Sequence, residues 1–188
     1  MTAQPAPGHD ATPVASGPKR LAPARLCRAV DATDVDEFER WYREAYPRVY
    51  ASVLVVSGDR GLAAEATDEA FVRSLERWPK VRTMRSPAGW TFTVARNLLR
   101  RGARRAARER SLEAPPASAV PETDPDLWEA VRGLPRRERE LVALRYVGGL
   151  TEPEIAATLG LASGTVARGL HDARARLHRA LATEEDKT

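Results

Sequence analysis

The sequence has little of what disulfide-linked and membrane-spanning proteins need. It contains one cysteine, Cys27, so no disulfide can form within the chain, and a reducing cytoplasm is the expected compartment. A redox role for Cys27 is the alternative to an incidental cysteine. No apolar run approaches the ~20 residues that cross a bilayer. The first eighteen residues lack an apolar segment behind a basic start, so we predict no secretory signal and no membrane partner.

The sequence is also poor in histidine, the residue most used for acid-base catalysis and metal binding. Its three histidines are His9, His171 and His178, and the last two lie seven residues apart without other ligands nearby in sequence. No nucleophile triad, metal-ligand spacing or phosphate-binding glycine loop is present. We therefore predict that the chain is not an enzyme, binds no cofactor or metal and has no small-molecule substrate.

What the sequence does contain is clustered positive charge. The 188 residues are 43% hydrophobic and 30% charged, which is ordinary for one or two small helical domains. The net charge is only +4, but seven arginines oppose one glutamate between Arg96 and Arg110, a local charge of +6. Such a helix repels itself unless a polyanion neutralises it, so a nucleic acid is the expected partner.

Composition and periodicity divide the chain into five segments. We predict an all-α protein with a disordered extension (1–33), a helical domain (34–110), a Pro-rich flexible linker (111–125), a helix-turn-helix domain (126–182) and a short tail (183–188). In the first domain, Asp34 is expected to cap a helix that Pro47 bends or interrupts. A second helix from Asp59 to Trp78 and a third that Ser86-Pro87 begins should follow.

The second domain has the punctuation of a helix-turn-helix. A helix from Glu138 to Tyr146 should end at Gly148-Gly149, and Thr151 should cap the next helix, which ends at Gly160. Ser163 is expected to cap the last helix, whose inward residues are Val166, Leu170, Ala173 and Leu177. The alternative is a plain three-helix bundle with a solvated basic face.

Three surfaces carry the candidate functional residues. On the last helix, Thr165, Arg168, His171 and Arg174 can reach DNA, with Arg168 and His171 aimed at bases, while Arg145 and Thr151 suit phosphates. Trp90 beside the arginine helix can stack a base, although a core tryptophan is at least as plausible. The acidic residues Glu65, Asp68 and Glu69 form either a docking surface for a basic protein or a solvated helix face.

Four blocks in order resemble bacterial RNA polymerase sigma factors of the extracytoplasmic-function (ECF) type. They are FERWYREAYPRVY, AEATDEAFVRSLERW, SPAGWTFTVARNLLRR and LPRRERELVALRYVGGLTEPEIAATLGLASGTVARGLHDARARL. The resemblance implies two domains, regions two and four, that direct core polymerase to promoter DNA without chemistry of their own. An anti-sigma protein is a further partner that the sequence leaves open.

The resemblance also implies roles for individual residues. Glu65, Asp68 and Glu69 would dock on core polymerase, and the helix-turn-helix would bind the −35 element. The −10 element would be held by Lys80, Arg82, Arg85, Trp90, Arg96, Asn97, Arg100 and Arg104. The sequence departs from the family pattern at Thr67-Asp68, Arg101, Ala167, Gly169 and Asp172, and the last three put the −35 sequence in doubt. A stand-alone helix-turn-helix regulator is the rival function, but it leaves the acidic and arginine helices unexplained.

Overall fold

A computed structural model describes residues 32–109 and 124–185, with side chains placed for 33–102 and 124–182. Every regular element in these two ranges is helical. The elements are α1 Ala32–Ser57, α2 Arg60–Glu76, α3 Trp78–Val81, α4 Pro87–Glu109, α5 Pro125–Gly133, α6 Arg136–Val142, a π-helical segment Ala143–Val147, α7 Glu152–Leu159 and α8 Ser163–Glu185. The predictions for Cys27, the N-terminal extension to residue 31, the linker at 110–123, the last three residues and the Arg104 side chain lie outside what is described.

Side-chain caps explain several of the helix starts. The Asp59 carboxylate accepts a hydrogen bond from the Leu62 backbone N–H at 2.9 Å, and the Ser86 hydroxyl oxygen accepts one from Gly89 at 3.0 Å. Asp34, by contrast, lies in the first turn of α1 and does not cap it, because the helix already begins at Ala32. Pro47 does not interrupt α1. The missing N–H removes one helical hydrogen bond, while burial of Ala45 and Val49 on either side stabilises the continuous helix.

The second half differs from the sequence prediction at three places. Helix α5, which the periodicity did not predict, is capped by Asp124 and buries Trp128 and Val131. The helix after Arg136 ends in a π-helical turn, with the Gly148 N–H donating to the Ala143 carbonyl at 2.8 Å. Ser163 is the first residue of α8 and not its cap, because the Ala162 carbonyl already accepts from Thr165 at 3.0 Å. The predictions of a cap at Thr151 and of a helix end at Gly160 are confirmed, and Gly160 has a left-handed φ of 65°.

The hydrophobic core extends through both halves. In the first half, Phe38, Trp41, Phe71 and Trp78 pack ring against ring with centroids 4.8 to 5.5 Å apart. The same buried cluster continues into the second half through Leu141, Leu144, Leu150, Ile155, Ala156, Leu159, Val166 and Leu170. The two predicted helical units therefore pack directly on one another, with α1 against α6 and the π-helical segment and with α4 against α7.

No helix within the described ranges has the length and apolar character that crossing a membrane requires.

Candidate nucleic-acid interface

The turn that leads into the helix-turn-helix is stabilised by its own hydrogen bonds. The Glu154 carboxylate accepts from the Thr151 backbone N–H at 2.8 Å and from its hydroxyl at 2.6 Å. These hydrogen bonds, followed by the positive charge of Arg85, hold the pKa of Glu154 below its ordinary value. Arg145 donates to the Leu150 carbonyl at 3.0 Å, across the same turn. Both predicted phosphate ligands are exposed, but each already has an intramolecular partner.

Helix α8 presents its predicted DNA-binding residues to solvent. Thr165, Arg168, His171 and Arg174 are all exposed, and the opposite face buries Val166, Leu170 and Ala173. Two of the unusual residues on this helix, Ala167 and Asp172, are exposed as well. Gly169 differs, because a Cβ atom there would lie 2.4 Å from Cδ1 of the buried Leu141. A glycine at this position therefore allows α8 to approach α6 closely.

A cavity beside the loop between α3 and α4 brings two of the predicted −10 residues, Lys80 and Trp90, together. Its volume is ≈ 410 Å³, within the range of roughly 300–1,000 Å³ that ligand pockets have. It is lined by Trp90 and Lys80 together with Arg77, Pro79, Val81 and Met84. Trp90 is half-buried, which leaves part of its ring exposed to the cavity. Arg85 and Asn97 are exposed. Arg82 pairs with Glu37 at 2.7 Å and with Asp34 at 3.3 Å, so it joins the loop to the start of α1.

Arg96 and Arg100 lie in a different environment from the other −10 candidates. Arg96 is buried, with only 8% of its surface exposed, and its guanidinium lies 3.2 Å from the Glu140 carboxylate of α6. Arg100 reaches the same carboxylate at 3.6 Å. In this arrangement both guanidiniums are paired with a residue of the second half of the chain. The sequence reasoning did not select Glu140, because a glutamate forty-four residues from Arg96 gives no local signal of this pairing.

The acidic surface on α2 is only partly free. Glu65 and Glu69 are exposed, and Glu69 pairs with Arg73 at 2.8 Å. Asp68 is half-buried and accepts a hydrogen bond of 2.7 Å from the Tyr46 hydroxyl. Burial first, and then this bond to Asp68, raise the pKa of Tyr46 above its ordinary value. The neighbouring Thr67 is fully buried, so one of the departures from the family pattern concerns the core.

An apolar groove next to the acidic surface was not predicted from the sequence. It lies between α2 and α4, has a volume of ≈ 140 Å³, and is lined by Leu62, Ala66, Leu98, Leu99 and Gly102 with Glu65 and Glu69 at its edge. Leu62 is 48% exposed. An exposed leucine three residues before Glu65 is the signal that could have indicated it, since those positions share a helix face.

Among the described residues, no group of three or more His, Cys, Asp or Glu side chains is arranged to hold a metal ion.

Two family models match the chain, one in each half. The model described as Sigma-70 region 2 matches residues 41–109, and the model described as Sigma-70, region 4 matches residues 125–181. The first match covers most of α1 and all of α2 to α4, with the acidic surface and the loop cavity. The second covers α5 to α8 with the helix-turn-helix.

Similar proteins agree with the two regional matches. The chain is 30% identical over 173 residues to the ECF RNA polymerase sigma factor SigE of Mycolicibacterium smegmatis, covering 84% of this chain and 66% of SigE. It is 28% identical over 186 residues to the ECF RNA polymerase sigma factor SigK of Mycobacterium bovis, covering 88% of this chain and 98% of SigK. Among solved structures, the sigma factor RpoE from Bartonella quintana, in complex with the anti-sigma factor NepR, aligns with a TM-score of 0.65 and 22% identity over 78% of this chain and 97% of that chain. At 22% identity, the similarity to RpoE shows a shared fold.

Proposed function

Because this chain belongs to the sigma-70 family of the ECF type, we propose that it binds core RNA polymerase and directs promoter recognition and the initiation of transcription. The observation that carries the proposal is the pairing, in one chain, of an exposed helix-turn-helix with a region-two unit that has its own cavity and acidic surface. A stand-alone helix-turn-helix regulator has no use for that second unit.

Each surface has a proposed role. Glu65, Asp68 and Glu69, with the apolar groove beside them, would dock on core polymerase, since carboxylates around an apolar centre suit a basic, amphipathic protein surface. The exposed side chains of α8 would enter the major groove at the −35 element. The cavity beside Trp90, with Lys80, Arg85 and Asn97, would hold separated strands at the −10 element, because a ring face stacks on a base while cations follow the phosphates.

The remaining predictions follow from the same proposal. The protein would perform no covalent chemistry and would act in the cytoplasm, where core polymerase and DNA are found. An anti-sigma protein is a further proposed partner, and its support is the fold shared with RpoE, which was solved bound to NepR.

Reconstituted transcription tests the function directly. The purified chain is mixed with sigma-free core polymerase and genomic DNA, and the run-off transcripts are sequenced. We expect discrete start sites that share a motif upstream. A chain that binds duplex DNA but yields no core-dependent start sites would be a regulator and not a sigma factor.

A further inference from the structure

One buried carboxylate joins the two halves of the chain. Glu140 on α6 is 1% exposed and has four arginines around it. Arg96 and Arg100 come from α4 in the first half, at 3.2 and 3.6 Å, and Arg136 and Arg137 come from its own helix, at 3.3 and 3.7 Å. Removing one partner of a buried ion pair leaves an uncompensated buried charge, which is strongly destabilising. Glu140 therefore contributes to the contact between the halves, beside the buried apolar cluster that they share.

Other close contacts join the same two halves. The Ser52 hydroxyl of α1 donates to the Ala143 carbonyl at 3.3 Å, and the Thr93 hydroxyl of α4 donates to the Thr158 carbonyl of α7 at 3.2 Å. A Cβ atom on Gly89 would lie 2.2 Å from the Thr158 hydroxyl oxygen, so α4 and α7 approach as closely as glycine permits. The interface is thus packed and hydrogen-bonded as an internal contact of one folded body.

The packed body is too small to contact both promoter elements together. Elements named −35 and −10 lie about 25 base pairs apart, roughly 85 Å along B-DNA at 3.4 Å per pair. A compact chain of this length has a radius of gyration of about 16 Å, hence a diameter of about 40 Å. The fourteen residues at 110–123 can span at most about 50 Å, which is enough chain for the halves to separate.

We propose that this arrangement is a closed state that cannot bind promoter DNA, in which Glu140 acts as a latch by occupying the arginines that DNA requires. The proposal rests on the proposed function, because it takes Arg96 and Arg100 as ligands of the −10 strand. Phosphates and the Glu140 carboxylate compete for the same two guanidiniums. A chain that is mostly closed binds DNA with an affinity reduced by the fraction that is open.

Loosening the latch tests the proposal in the full chain. Glu140→Gln keeps the shape of the side chain and removes its charge, so the closed state is left with a buried, uncompensated Arg96. The matched control is Glu138→Gln, which removes the same charge from the same helix. Native Glu138 pairs with Arg176 inside the second half, at 3.1 Å, so its loss leaves the contact between the halves unchanged. Separation of the halves is measured by energy transfer between dyes attached to Glu76→Cys and Ala175→Cys, two exposed positions. The native cysteine is removed by Cys27→Ser so that only these two positions are labelled.

We expect Glu140→Gln to lower energy transfer and to tighten binding of a fluorescent 20-nucleotide single-stranded DNA by at least about tenfold. Glu138→Gln should leave the transfer unchanged and tighten binding much less. Equal transfer and equal affinity in both variants, with circular dichroism like that of the parent, would overturn the proposal.

A reversible crosslink provides a second test. The ideal Cβ position at Gly148 lies 3.1 Å from the Ser52 hydroxyl oxygen, close to the roughly 3 Å between one Cβ and the partner sulfur of a disulfide. The same Cβ would lie 2.9 Å from the Leu144 carbonyl oxygen, so the stability of the Gly148→Cys single variant is measured alongside. In a Cys27→Ser background, Ser52→Cys with Gly148→Cys should therefore hold the halves together when oxidised. The two single-cysteine variants serve as controls.

We expect the oxidised form to lose at least about tenfold in DNA binding and in core-dependent transcription, and dithiothreitol to restore both. An oxidised form that transcribes as well as the reduced form would overturn the closed state. If neither the parent nor the reduced variant directs transcription, the proposed function is wrong, and energy transfer with single-stranded DNA binding still decides whether the latch exists.

Discussion

Gly169 shows how packing restricts the side chain that α8 can carry at one position. Its missing side chain gives α8 its close approach to Leu141, where a Cβ atom would lie 2.4 Å from Cδ1. A longer residue could donate a hydrogen bond to DNA only if Leu141 shifted in the buried core. Ala167 lies exposed two residues before it and offers no polar group either. We therefore expect α8 to recognise bases with few side chains, chiefly Arg168 and His171.

Arg168 and Arg145 should differ in the kind of DNA contact that they make. Arg168 is exposed on α8, so Arg168→Ala should relax base preference by about 1–3 kcal/mol at one position. Arg145→Ala should weaken binding to all sequences alike and lower the salt slope by about one. It should also lower stability, since Arg145 donates to the Leu150 carbonyl. Binding of specific and random duplexes at several salt concentrations distinguishes them, and equal losses for Arg168→Ala on both duplexes would limit it to the backbone.

Thr151 should contribute to stability as a helix cap. Its hydroxyl donates to Glu154 at 2.6 Å, so Thr151→Ala should lower the free energy of unfolding by about 1 kcal/mol. Thr151→Ser keeps the hydroxyl and should remain close to the parent in urea denaturation. A Thr151→Ala chain as stable as the parent but weaker on every duplex would instead favour a phosphate contact.

Glu154, the partner of Thr151 in this capping box, should make part of the free energy of unfolding depend on pH. The pKa of Glu154 is lower in the folded chain, through the hydroxyl and N–H of Thr151, so the unfolded chain binds its proton more readily. The resulting stability is present above the unfolded pKa of about 4.3 and is lost as the pH falls through the folded value. The difference in unfolding free energy between the parent and Glu154→Gln should therefore shrink between pH 6 and pH 3. A difference that stays constant would show that the carboxylate charge does not matter.

At the scale of the element, two acidic residues of α2 lie in different environments. Asp68 accepts the Tyr46 hydroxyl, whereas Glu65 is exposed beside the apolar groove. Glu65→Lys should therefore weaken binding to core polymerase at least about tenfold while changing stability by no more than about 0.5 kcal/mol. Glu76→Lys, a charge reversal at another exposed position at the end of the same helix, is the control. The affinity of each variant for core polymerase is measured by fluorescence anisotropy. Equal affinities of the two variants would contradict the docking role of Glu65.

Helices marked by local signals were predictable, and those decided by packing were not. Asp59, Ser86-Pro87, Thr151 and Gly160 mark helix ends through hydrogen bonds or backbone conformations within a few residues, and the structure confirms all four. Helix α5 was missed because its proline and acids resemble the linker before it, while its stability comes from burying Trp128 against Val55 and Ala143. The π-helical turn depends on α1 in the same way, since Ser52 binds the Ala143 carbonyl.

The candidate site was predictable as a set of positions but not as a set of partners. Periodicity predicted the exposed residues of α8, because an inward stripe fixes the opposite face. It could not predict that Arg96 would be buried against Glu140, forty-four residues away, or that Arg82 would pair with Glu37. Contacts of this kind are decided by how helices distant in sequence pack together, and no local pattern encodes that.

At the scale of the whole molecule, the shared core should make the two halves unfold together. Phe92 and Val53 belong to the same buried cluster as Leu144 and Ile155, so unfolding either half exposes apolar surface of the other. Fluorine-19 spectra of the chain with 5-fluorotryptophan report Trp41, Trp78 and Trp90 in the first half and Trp128 in the second. In guanidinium chloride all four should change at one midpoint, which should coincide with the loss of helical circular dichroism.

In Glu140→Gln the Trp128 midpoint should separate from the others, because the buried charge of Arg96 weakens the contact but leaves each half its own helices. Separate midpoints already present in the parent would mean that the halves unfold independently and that the shared cluster contributes little to stability.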